Sequence, residues 1–330
     1  MRFVLLIILF TFSLSASTYT DMYKRDVQIE KNQKIVCLGP GTLRIISYLQ
    51  LQNRLVGVEK RELSFDKNSP YSFALDKNFI KSLPIVGQGG PGKMPNLETL
   101  LTLKPDIIFT TLLSKEQVEL IQKRTNIPVV ALSYGTIYNK SENKIETIKK
   151  SIKLVANIMD KNNRANQLLS FMKNEETKLS KIKITNKNIY IGGVSNKGVH
   201  GITSTESNYP AFTLLNIKNS ILKDHIGHAF IDKETLFKFN PDVVFLDSIS
   251  KKLILEEIKK DQAIFKHIKA FKQNNIYWLS PSNFYNTNIE NIYINSWKIA
   301  SYFGKNIDIN LIKKRVYKTF LGKEILEDVQ

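Results

Sequence analysis

Short runs of β-branched and other apolar residues alternate with longer amphipathic stretches along the whole chain. The first half contains the runs KIVCLG, LVGVE, LPIVG, DIIFTT and PVVALS, and the second half contains IYIGGV, DVVFLD and IYWLS. Strands that alternate with helices form parallel sheets, because each helix brings the next strand alongside the previous one. The sequence therefore predicts an α/β protein built on parallel sheets.

Each half of the chain carries the same short motif. In NLETLLTLKPDIIFTT and in DKETLFKFNPDVVFLD a glutamate, Glu98 or Glu234, is followed by apolar helical turns, then by Pro-Asp, then by a strand. Both motifs begin with a residue that suits a helix N-cap, and both glutamates lie in the first turn, where the helix dipole favours negative charge. The repeat predicts two similar lobes, which we place at residues 18–140 and 184–330.

The segment between the lobes, residues 141–183, has apolar residues at helical spacing and contains neither proline nor glycine. This pattern predicts one long helix or two helices in close succession. We adopt the single helix as the connector. The predicted fold class is thus a pair of Rossmann-like α/β lobes with parallel sheets, joined by a single long α-helix.

The N-terminus predicts export. In MRFVLLIILFTFSLSAS one arginine precedes an apolar run, and small residues suited to cleavage follow near Ala16 and Ser17, so we assign residues 1–17 as a signal peptide. The apolar run is shorter than the roughly 20 residues of a membrane-spanning helix. The only cysteine, Cys37, is far from the cut and lies in an apolar run. We therefore expect a free periplasmic protein without a lipid anchor, and a buried Cys37.

Several function classes are disfavoured by what the chain contains. The formal net charge is +18, but the lysines are scattered and form no dense basic block of a nucleic-acid module. The letters G-x-x-x-x-G-K run from Gly87 to Lys93, yet Met94 stands where a P-loop needs Ser or Thr, and Pro95 delays the helix. No G-x-S-x-G or H-E-x-x-H motif occurs. We expect neither an enzyme nor a nucleotide-binding loop, and interpret the glycines as part of a cleft wall.

These features resemble the periplasmic substrate-binding proteins of ABC importers for iron-siderophores, cobalamin and haem, in which a long helix joins two lobes. The resemblance rests on KIVCLGPGTLRIISYLQLQNRLVGVE, LPIVGQGGPGKMPNLETLLTLKPDIIFTT, FNPDVVFLD and the connector. It implies a monomeric receptor without a cofactor, which captures a metal chelate, first of all an iron(III)-siderophore, and delivers it to an inner-membrane permease and its ATPase. By this resemblance Glu98 and Glu234 pair with arginines of the permease.

The cargo itself stays open at the level of sequence. The loops GPGTLRIISYL and GGVSNKGVHGITST depart from the pattern usual in that family, at places where ligand contacts are expected. Haem, cobalamin, a nickel or cobalt chelate, and the oxyanions molybdate or tungstate are the alternative cargoes. An alternative of another class is an exported metal-dependent α/β enzyme.

Ligands of open parallel sheets lie beyond the carboxyl ends of the strands, so two facing sheets predict a single cleft between the lobes. Basic side chains near these ends suit the oxygens of a carboxylate or catecholate chelate, and aromatic rings suit a flat ligand. The predicted ligand-binding residues are Arg44, Lys60, Arg61, Lys93, Lys197, His200 and Tyr285.

Three histidines are candidate metal ligands. His225 and His228 are three residues apart in DHIGHAF, and His200 is the nearest further histidine in the sequence. Imidazole nitrogens bind transition metals, although the glycine between the first two weakens a helical geometry. The competing interpretation is that these are loop histidines satisfied by hydrogen bonds.

Overall fold

The structure is a computed structural model that describes residues 16–134, 143–184, 187–222 and 225–325. The predicted signal peptide lies outside these ranges except for its last two residues, and the first two residues of the predicted connector lie outside them as well. Within the described ranges, no helix is both long and apolar enough to cross a membrane.

The first lobe is built on a five-stranded parallel sheet with the strand order β5-β4-β3-β6-β7. An antiparallel hairpin precedes it, and Cys37 in the central strand is buried as predicted. In chain order the elements are β1 (Ser17–Thr20), β2 (Asp26–Ile29), β3 (Ile35–Leu38), α1 (Thr42–Tyr48), β4 (Leu55–Glu59), α2 (Lys77–Ser82), β5 (Ile85–Gly87), α3 (Leu97–Leu103), β6 (Ile107–Thr110), α4 (Lys115–Thr125) and β7 (Val129–Ala131), with short 3-10 helices at Gln52–Arg54, Lys60–Ser64 and Pro70–Ala74.

The second lobe contains a three-stranded parallel sheet with the order β12-β11-β8, and a separate antiparallel pair, β9 and β10. Its elements, with the two helices that precede it, are α5 (Lys144–Ile158), α6 (Asn162–Ser180), β8 (Ile189–Gly192), β9 (Ser204–Glu206), α7 (Pro210–Thr213), β10 (His228–Phe230), α8 (Lys233–Phe239), β11 (Val243–Asp247), α9 (Lys251–Lys260), α10 (Gln262–Phe265), α11 (Lys269–Lys272), β12 (Ile276–Leu279), α12 (Ile289–Tyr302) and α13 (Ile309–Leu321), with 3-10 helices at Ser220–Leu222 and Ser248–Ser250. The two parallel sheets confirm the predicted fold class.

The repeated motif folds in the same way in both lobes. Helices α3 and α8 have 7 residues each, and each begins with a side-chain cap. The Oδ1 atom of Asn96 accepts a hydrogen bond from the Thr99 amide at 3.0 Å, and Oδ1 of Asp232 accepts one from the Thr235 amide at 2.5 Å. Such caps satisfy amides that the first helical turn leaves unpaired.

The Pro-Asp step after each of these helices also has an equivalent role in the two lobes. The carboxylate of Asp106 accepts a hydrogen bond from the Lys34 amide at 2.9 Å, just before β3. The carboxylate of Asp242 accepts one from the Asn188 amide, also at 2.9 Å, just before β8. Each aspartate thereby joins two neighbouring parallel strands at their amino ends, which lie opposite the predicted cleft.

The connector is not the single long helix that we predicted. Helices α5 and α6 are separated at Asp160, whose φ of 56° is left-handed. The Lys149 ammonium in α5 lies 2.7 Å from the Glu176 carboxylate in α6, so the two helices run antiparallel rather than end to end. Aspartate tolerates the left-handed region better than most residues. A tight turn therefore forms here without the glycine or proline that normally signals one.

Helix α6 contacts both lobes. Near its start, Nε of Arg164 donates to the backbone oxygen of Tyr48 in the first lobe at 2.9 Å. Near its end, the Glu175 carboxylate accepts a hydrogen bond from Nε1 of Trp297 in α12 at 2.7 Å. Helix α13 then returns to the first lobe, where the rings of Phe320 and Tyr48 meet edge to face at 5.0 Å. The lobes are thus linked by α6 and α13.

Candidate functional site

The segment that follows β12, residues 281–288, crosses from the second lobe to the first, and we call it the interlobe loop. It covers the helix that follows β3. The guanidinium of Arg44 donates to the backbone oxygens of Phe284 and Thr287 at 2.9 and 2.8 Å, and to Oδ1 of Asn288 at 2.8 Å. Arg44 is fully buried. A buried cation needs such partners, because its loss of hydration is otherwise costly.

Further hydrogen bonds join the interlobe loop to loops of the first lobe. Nδ2 of Asn286 donates to the backbone oxygen of Pro40 at 2.9 Å, directly after β3. Nδ2 of Asn288 donates to the backbone oxygen of Asn68 at 2.8 Å. The interlobe loop therefore forms the floor between the carboxyl ends of the two parallel sheets, where the cleft was predicted.

Glu59 at the end of β4 and Glu62 in the 3-10 helix that follows it are buried beside this floor. Oε2 of Glu59 accepts hydrogen bonds from the Gly39 amide at 3.0 Å and from the Tyr285 hydroxyl at 3.1 Å. Burial raises the pKa of Glu59 to about 7, and the hydrogen bond from Gly39 offsets part of this effect. Burial likewise raises the pKa of Glu62, which accepts a hydrogen bond from Tyr71, to about 7. The site therefore contains two carboxyl groups that titrate near neutral pH.

The glycine-rich loop lies against the same group of residues. Gly89 has a φ of +83°, and a Cβ atom at this position would lie 2.7 Å from the Tyr285 hydroxyl and 2.9 Å from Cβ of Arg61. Only glycine permits both this backbone conformation and so close an approach. Helix α3 begins at Leu97 after the Asn96 cap, as the proline predicted. The loop packs against the residues at the floor rather than opening a helix that could hold phosphate.

Two of the predicted ligand residues, Arg61 of the first lobe and Tyr285 of the interlobe loop, come together. The Arg61 guanidinium lies 5.3 Å from the ring centre of Phe284 and 5.6 Å from that of Tyr285. Its side chain remains exposed, as do Lys60 next to it and Lys93 on the glycine loop. Arg44 differs, because its guanidinium donates four hydrogen bonds to the interlobe loop. Ligand contact by any of these residues stays a prediction.

The three histidines lie together in the second lobe, but each has a partner within the protein. Nε2 of His200 is 2.7 Å from the Asn196 backbone oxygen, and Nε2 of His228 is 2.7 Å from Oγ of Ser204. Nε2 of His225 is 2.8 Å from the His228 backbone oxygen. In the part of the chain that the structure describes, no group of three His, Cys, Asp or Glu residues is placed to hold a metal ion.

Phe230 and two of the histidines form a partly exposed cluster of rings. The ring of Phe230, which is 62% exposed, meets the rings of His200 and His228 edge to face at 4.9 and 4.8 Å. Burial lowers the pKa of His228, which favours its neutral form. Lys197 is exposed in the neighbouring turn and has a left-handed φ of 55°.

The two glutamates of the repeated motif are exposed. Glu98 lies in the first turn of α3 and Glu234 in the first turn of α8. Glu234 pairs with Lys238 at 2.9 Å, and both side chains are more than 70% exposed. Ion pairs this open to solvent contribute little to stability, so the pair leaves Glu234 accessible to another protein.

Residues that the sequence analysis did not select complete the floor of the cleft. Glu62, Phe284 and Asn288 all contact the predicted residues, yet none was predicted. The sequence offers one signal for Glu62, since the charged run EKRE begins at the last residue of the buried strand β4. Phe284 and Asn288 lie in a polar loop and give no such signal, because their importance comes from contacts with residues about 220 to 240 positions away.

Two α/β lobes that face each other across a shared floor form the framework of a receptor for small solutes. The comparison with known families agrees with this class. Residues 35–282 match the family model described as periplasmic binding protein, and the chain belongs to that family.

Two curated relatives have informative names. The chain is 23% identical over 188 residues to the Fe(3+)-citrate-binding protein YfmC of Bacillus subtilis, covering 57% of this chain and 58% of that protein. It is 28% identical over 173 residues to the molybdate-binding protein MolA of Haemophilus influenzae, covering 48% and 47%. The chain thus spans about half to three fifths of the length of these relatives.

Solved structures share the fold over nearly the whole chain. The structure of Haemophilus influenzae MolA bound to molybdate has a TM-score of 0.69 at 19% identity and covers 94% of this chain and 99% of that one. A periplasmic solute-binding protein from Veillonella parvula has a TM-score of 0.73 at 18% identity, with coverages of 96% and 95%. The family and its named relatives bind solutes and are not enzymes, which confirms that prediction and removes the alternative of an exported enzyme.

Proposed function

We propose that the protein is the solute-binding component of an ABC importer, and that it captures an anionic metal chelate, first of all an iron(III)-siderophore, between its two lobes. In this proposal residues 1–17 direct export and are removed, and the mature monomer works in the periplasm without a cofactor. It carries its cargo to the permease and ATPase of the inner membrane and does not alter it.

The observation that carries this proposal is the position of Arg61. Its exposed guanidinium lies above Phe284 and Tyr285, which belong to the interlobe loop, so residues from both lobes meet at one positively charged aromatic surface. A guanidinium pairs with two oxygens of a carboxylate or catecholate at once, and the rings offer a face for a flat chelate. Lys60, next to Arg61 in the chain, and Lys93, on the glycine-rich loop that packs against Arg61 through Gly89, are also exposed.

The names of the relatives support an anionic cargo of this kind. YfmC is named for binding Fe(3+)-citrate, a ferric chelate rich in carboxylates. MolA is named for binding molybdate, and the likeness to it in both sequence and fold makes an oxyanion the second candidate. Both cargoes are anions, so both suit the same basic surface.

The docking role of Glu98 and Glu234 belongs to the same proposal. Support comes from their equivalence, since each lies in the first turn of the equivalent helix of its lobe and each is exposed. Carboxylates in such positions suit bidentate contact with arginines of a partner. Two equivalent acidic contacts, one from each lobe, would let a permease recognise both lobes together.

Isothermal titration calorimetry of the mature protein with ferric citrate, a ferric catecholate complex and molybdate tests the cargo. We expect saturable binding of a ferric chelate, and a roughly tenfold to hundredfold weaker affinity in Arg61→Gln, because a charge-assisted hydrogen bond is worth about 1.5 to 3 kcal/mol. Arg124→Gln, an exposed arginine in the last turn of α4, is the matched control and should bind like the wild type.

Three other outcomes of these titrations would change or contradict the proposal. Binding of molybdate without binding of either ferric chelate replaces the first candidate by the second. An Arg61→Gln variant that binds as tightly as Arg124→Gln contradicts the assignment of Arg61. Absence of binding for all three probes contradicts the proposal of an anionic chelate or oxyanion.

A further inference from the structure

Three carboxyl groups are buried at the floor of the cleft, and each accepts a hydrogen bond from a tyrosine hydroxyl. None of the three side chains belongs to a residue that is more than 8% exposed. The pairs are Glu59 with Tyr285, Glu62 with Tyr71, and Glu290 with Tyr48. We call Glu59, Glu62 and Glu290 the acid cluster.

The acid cluster has no direct positive partner. In the part of the chain that the structure describes, none of its carboxyls forms an ion pair with a lysine, arginine or histidine. Arg44 is buried nearby, but its guanidinium donates to the interlobe loop instead. Burial of a carboxylate without an opposite charge is costly, whereas a protonated carboxyl avoids that cost. The fold therefore favours protonation of these groups.

Two members of the acid cluster border the surface to which we assign the cargo. Glu62 and Arg61 line the same small cavity, together with aromatic rings of the interlobe loop. A Cβ atom added at Gly89 would lie 2.9 Å from Cβ of Arg61 and 3.0 Å from Oε2 of Glu59. Both carboxyls thus lie close to the base of the Arg61 side chain, whose guanidinium is exposed.

Glu59 and Glu62 titrate in the physiological range. Burial raises the pKa of each to about 7. The charge of Glu62 adds to this effect at Glu59. At Glu62 the hydrogen bond from Tyr71 and the positive charges of Arg44 and Arg61 offset part of it.

The other titratable groups around this pair do not lose a proton in the same range, with one exception. Burial raises the pKa of the cysteine and of the four tyrosines above their usual values, so they stay neutral at pH 8. These groups are Cys37, Tyr48, Tyr71, Tyr134 and Tyr285. The exception is Glu290, whose pKa burial also raises. Asp66 lines the same cavity as Glu62.

We propose that capture of an anionic cargo at Arg61 is coupled to uptake of a proton from solvent by Glu59 and Glu62, so that these two carboxyls set the affinity for the cargo. The inference rests on the proposed binding of an anion at Arg61. Ionised carboxylates beside Arg61 repel an anion, and an arriving anion in turn disfavours their ionised form. Linkage then requires that a cargo whose binding takes up protons binds more tightly at lower pH.

Calorimetry counts these protons. The mature protein is titrated at pH 7 with ferric citrate, a ferric catecholate complex and molybdate, each in two buffers of different ionisation enthalpy. Each carboxyl is about half protonated at this pH, so the pair takes up at most about one proton. We expect roughly 0.3 to 1 proton more per bound cargo in the wild type than in Glu59→Gln/Glu62→Gln. Protons exchanged by the cargo itself cancel in this difference.

The affinities at pH 6 and pH 8 give a second readout. We expect the wild type to bind about threefold to tenfold more weakly at pH 8. Glutamine imitates the protonated carboxyl, so Glu59→Gln/Glu62→Gln should bind at pH 8 as tightly as the wild type binds at pH 6. A purely structural role of the two glutamates would instead weaken binding. The control Glu119→Gln/Glu256→Gln removes two exposed carboxylates and should keep the pH dependence of the wild type.

The outcomes separate this coupling from the proposed function. Cargo binding with equal proton uptake in the wild type and in Glu59→Gln/Glu62→Gln assigns the protons to other groups and overturns the coupling alone. Weaker binding by that variant at both pH values also overturns it. Absence of binding of all three probes to the wild type contradicts the proposed function and the coupling together. Circular dichroism checks folding, and if the double variant does not fold, Glu59→Gln and Glu62→Gln are used singly and should each remove part of the uptake.

Discussion

Glu59 joins the two lobes through a group that titrates near neutral pH. Its carboxyl group accepts hydrogen bonds from Gly39 in the first lobe and from Tyr285 in the interlobe loop. Burial of this group disfavours its charged form and raises its pKa to about 7. Burial also raises the pKa of Glu62, to about 7. In the second lobe, burial raises the pKa of Asp247 to about 6.

We predict that stability falls as the pH rises from about 5 to 8. The folded state binds more protons than the unfolded state wherever a carboxyl pKa is raised by folding, so the free energy of unfolding decreases with pH through that window. Glu59→Gln should remove part of this slope, on the order of 1 to 3 kcal/mol between the two pH values. Urea denaturation at several pH values measures this change of the free energy of unfolding with pH. A slope in Glu59→Gln equal to that of the exposed control Glu119→Gln contradicts the prediction.

Arg44 and Arg61 were predicted on the same grounds, but the structure places them differently. Both were predicted to bind ligand because both follow strands whose ends face the cleft. Arg61 remains exposed beside Tyr285, whereas Arg44 is buried beneath the interlobe loop. The partners of Arg44 lie about 240 residues further along the chain, so no local pattern could identify them.

At the scale of elements, local signals predicted the repeated unit in detail. The caps Asn96 and Asp232, the first-turn glutamates and the Pro-Asp steps all act within a few residues of themselves, and the two copies fold alike. For the connector, the single long helix was wrong and the alternative of two helices in close succession is correct, because the chain turns at Asp160 in a left-handed conformation. Asp160 and the nearby Asn162 and Asn163 are weak helix formers, but without a glycine or proline they do not by themselves fix the position of a break.

Substitution of Asp160 tests that explanation. We expect Asp160→Gly to leave the free energy of unfolding unchanged or to raise it by up to about 1 kcal/mol, because glycine adopts a positive φ without steric cost. Asp160→Val should lower it by more than about 1 kcal/mol, since a β-branched residue is strongly disfavoured there. Asp160→Asn is the conservative control. Equal destabilisation by glycine and valine in urea unfolding would show that the turn does not depend on backbone conformation.

At the scale of the whole molecule, the two lobes are linked by α6, α13 and the interlobe loop. The hydrogen bonds of Arg44, Asn286 and Asn288 add contacts at the floor of the cleft to the bridging helices at its back. Such a framework restricts the lobes to small relative movements, because every hinge motion would break buried polar contacts. A partner that recognises both lobes at once would then meet a nearly fixed pair of surfaces.

The docking glutamates are tested at this scale. We expect Glu98→Gln/Glu234→Gln to reduce cargo uptake in cells at least tenfold while the purified protein binds cargo with unchanged affinity, because only the contact with the permease is lost. Glu119→Gln/Glu256→Gln removes two other exposed glutamates and should transport normally. Uptake assays with labelled cargo and calorimetry provide the two measurements. If the folded Glu98→Gln/Glu234→Gln protein supports normal uptake, the docking proposal is wrong.

The sequence by itself determined the parallel α/β class, the two equivalent lobes and the ends of their repeated helices, because periodicity, caps and breakers act between residues that are close in the chain. Only the tertiary structure decided that α6, α13 and the interlobe loop link the lobes, and that the interlobe loop buries Arg44. These features depend on contacts between residues that are far apart in sequence, and the burial that such contacts create determines which charged side chains stay exposed for a ligand.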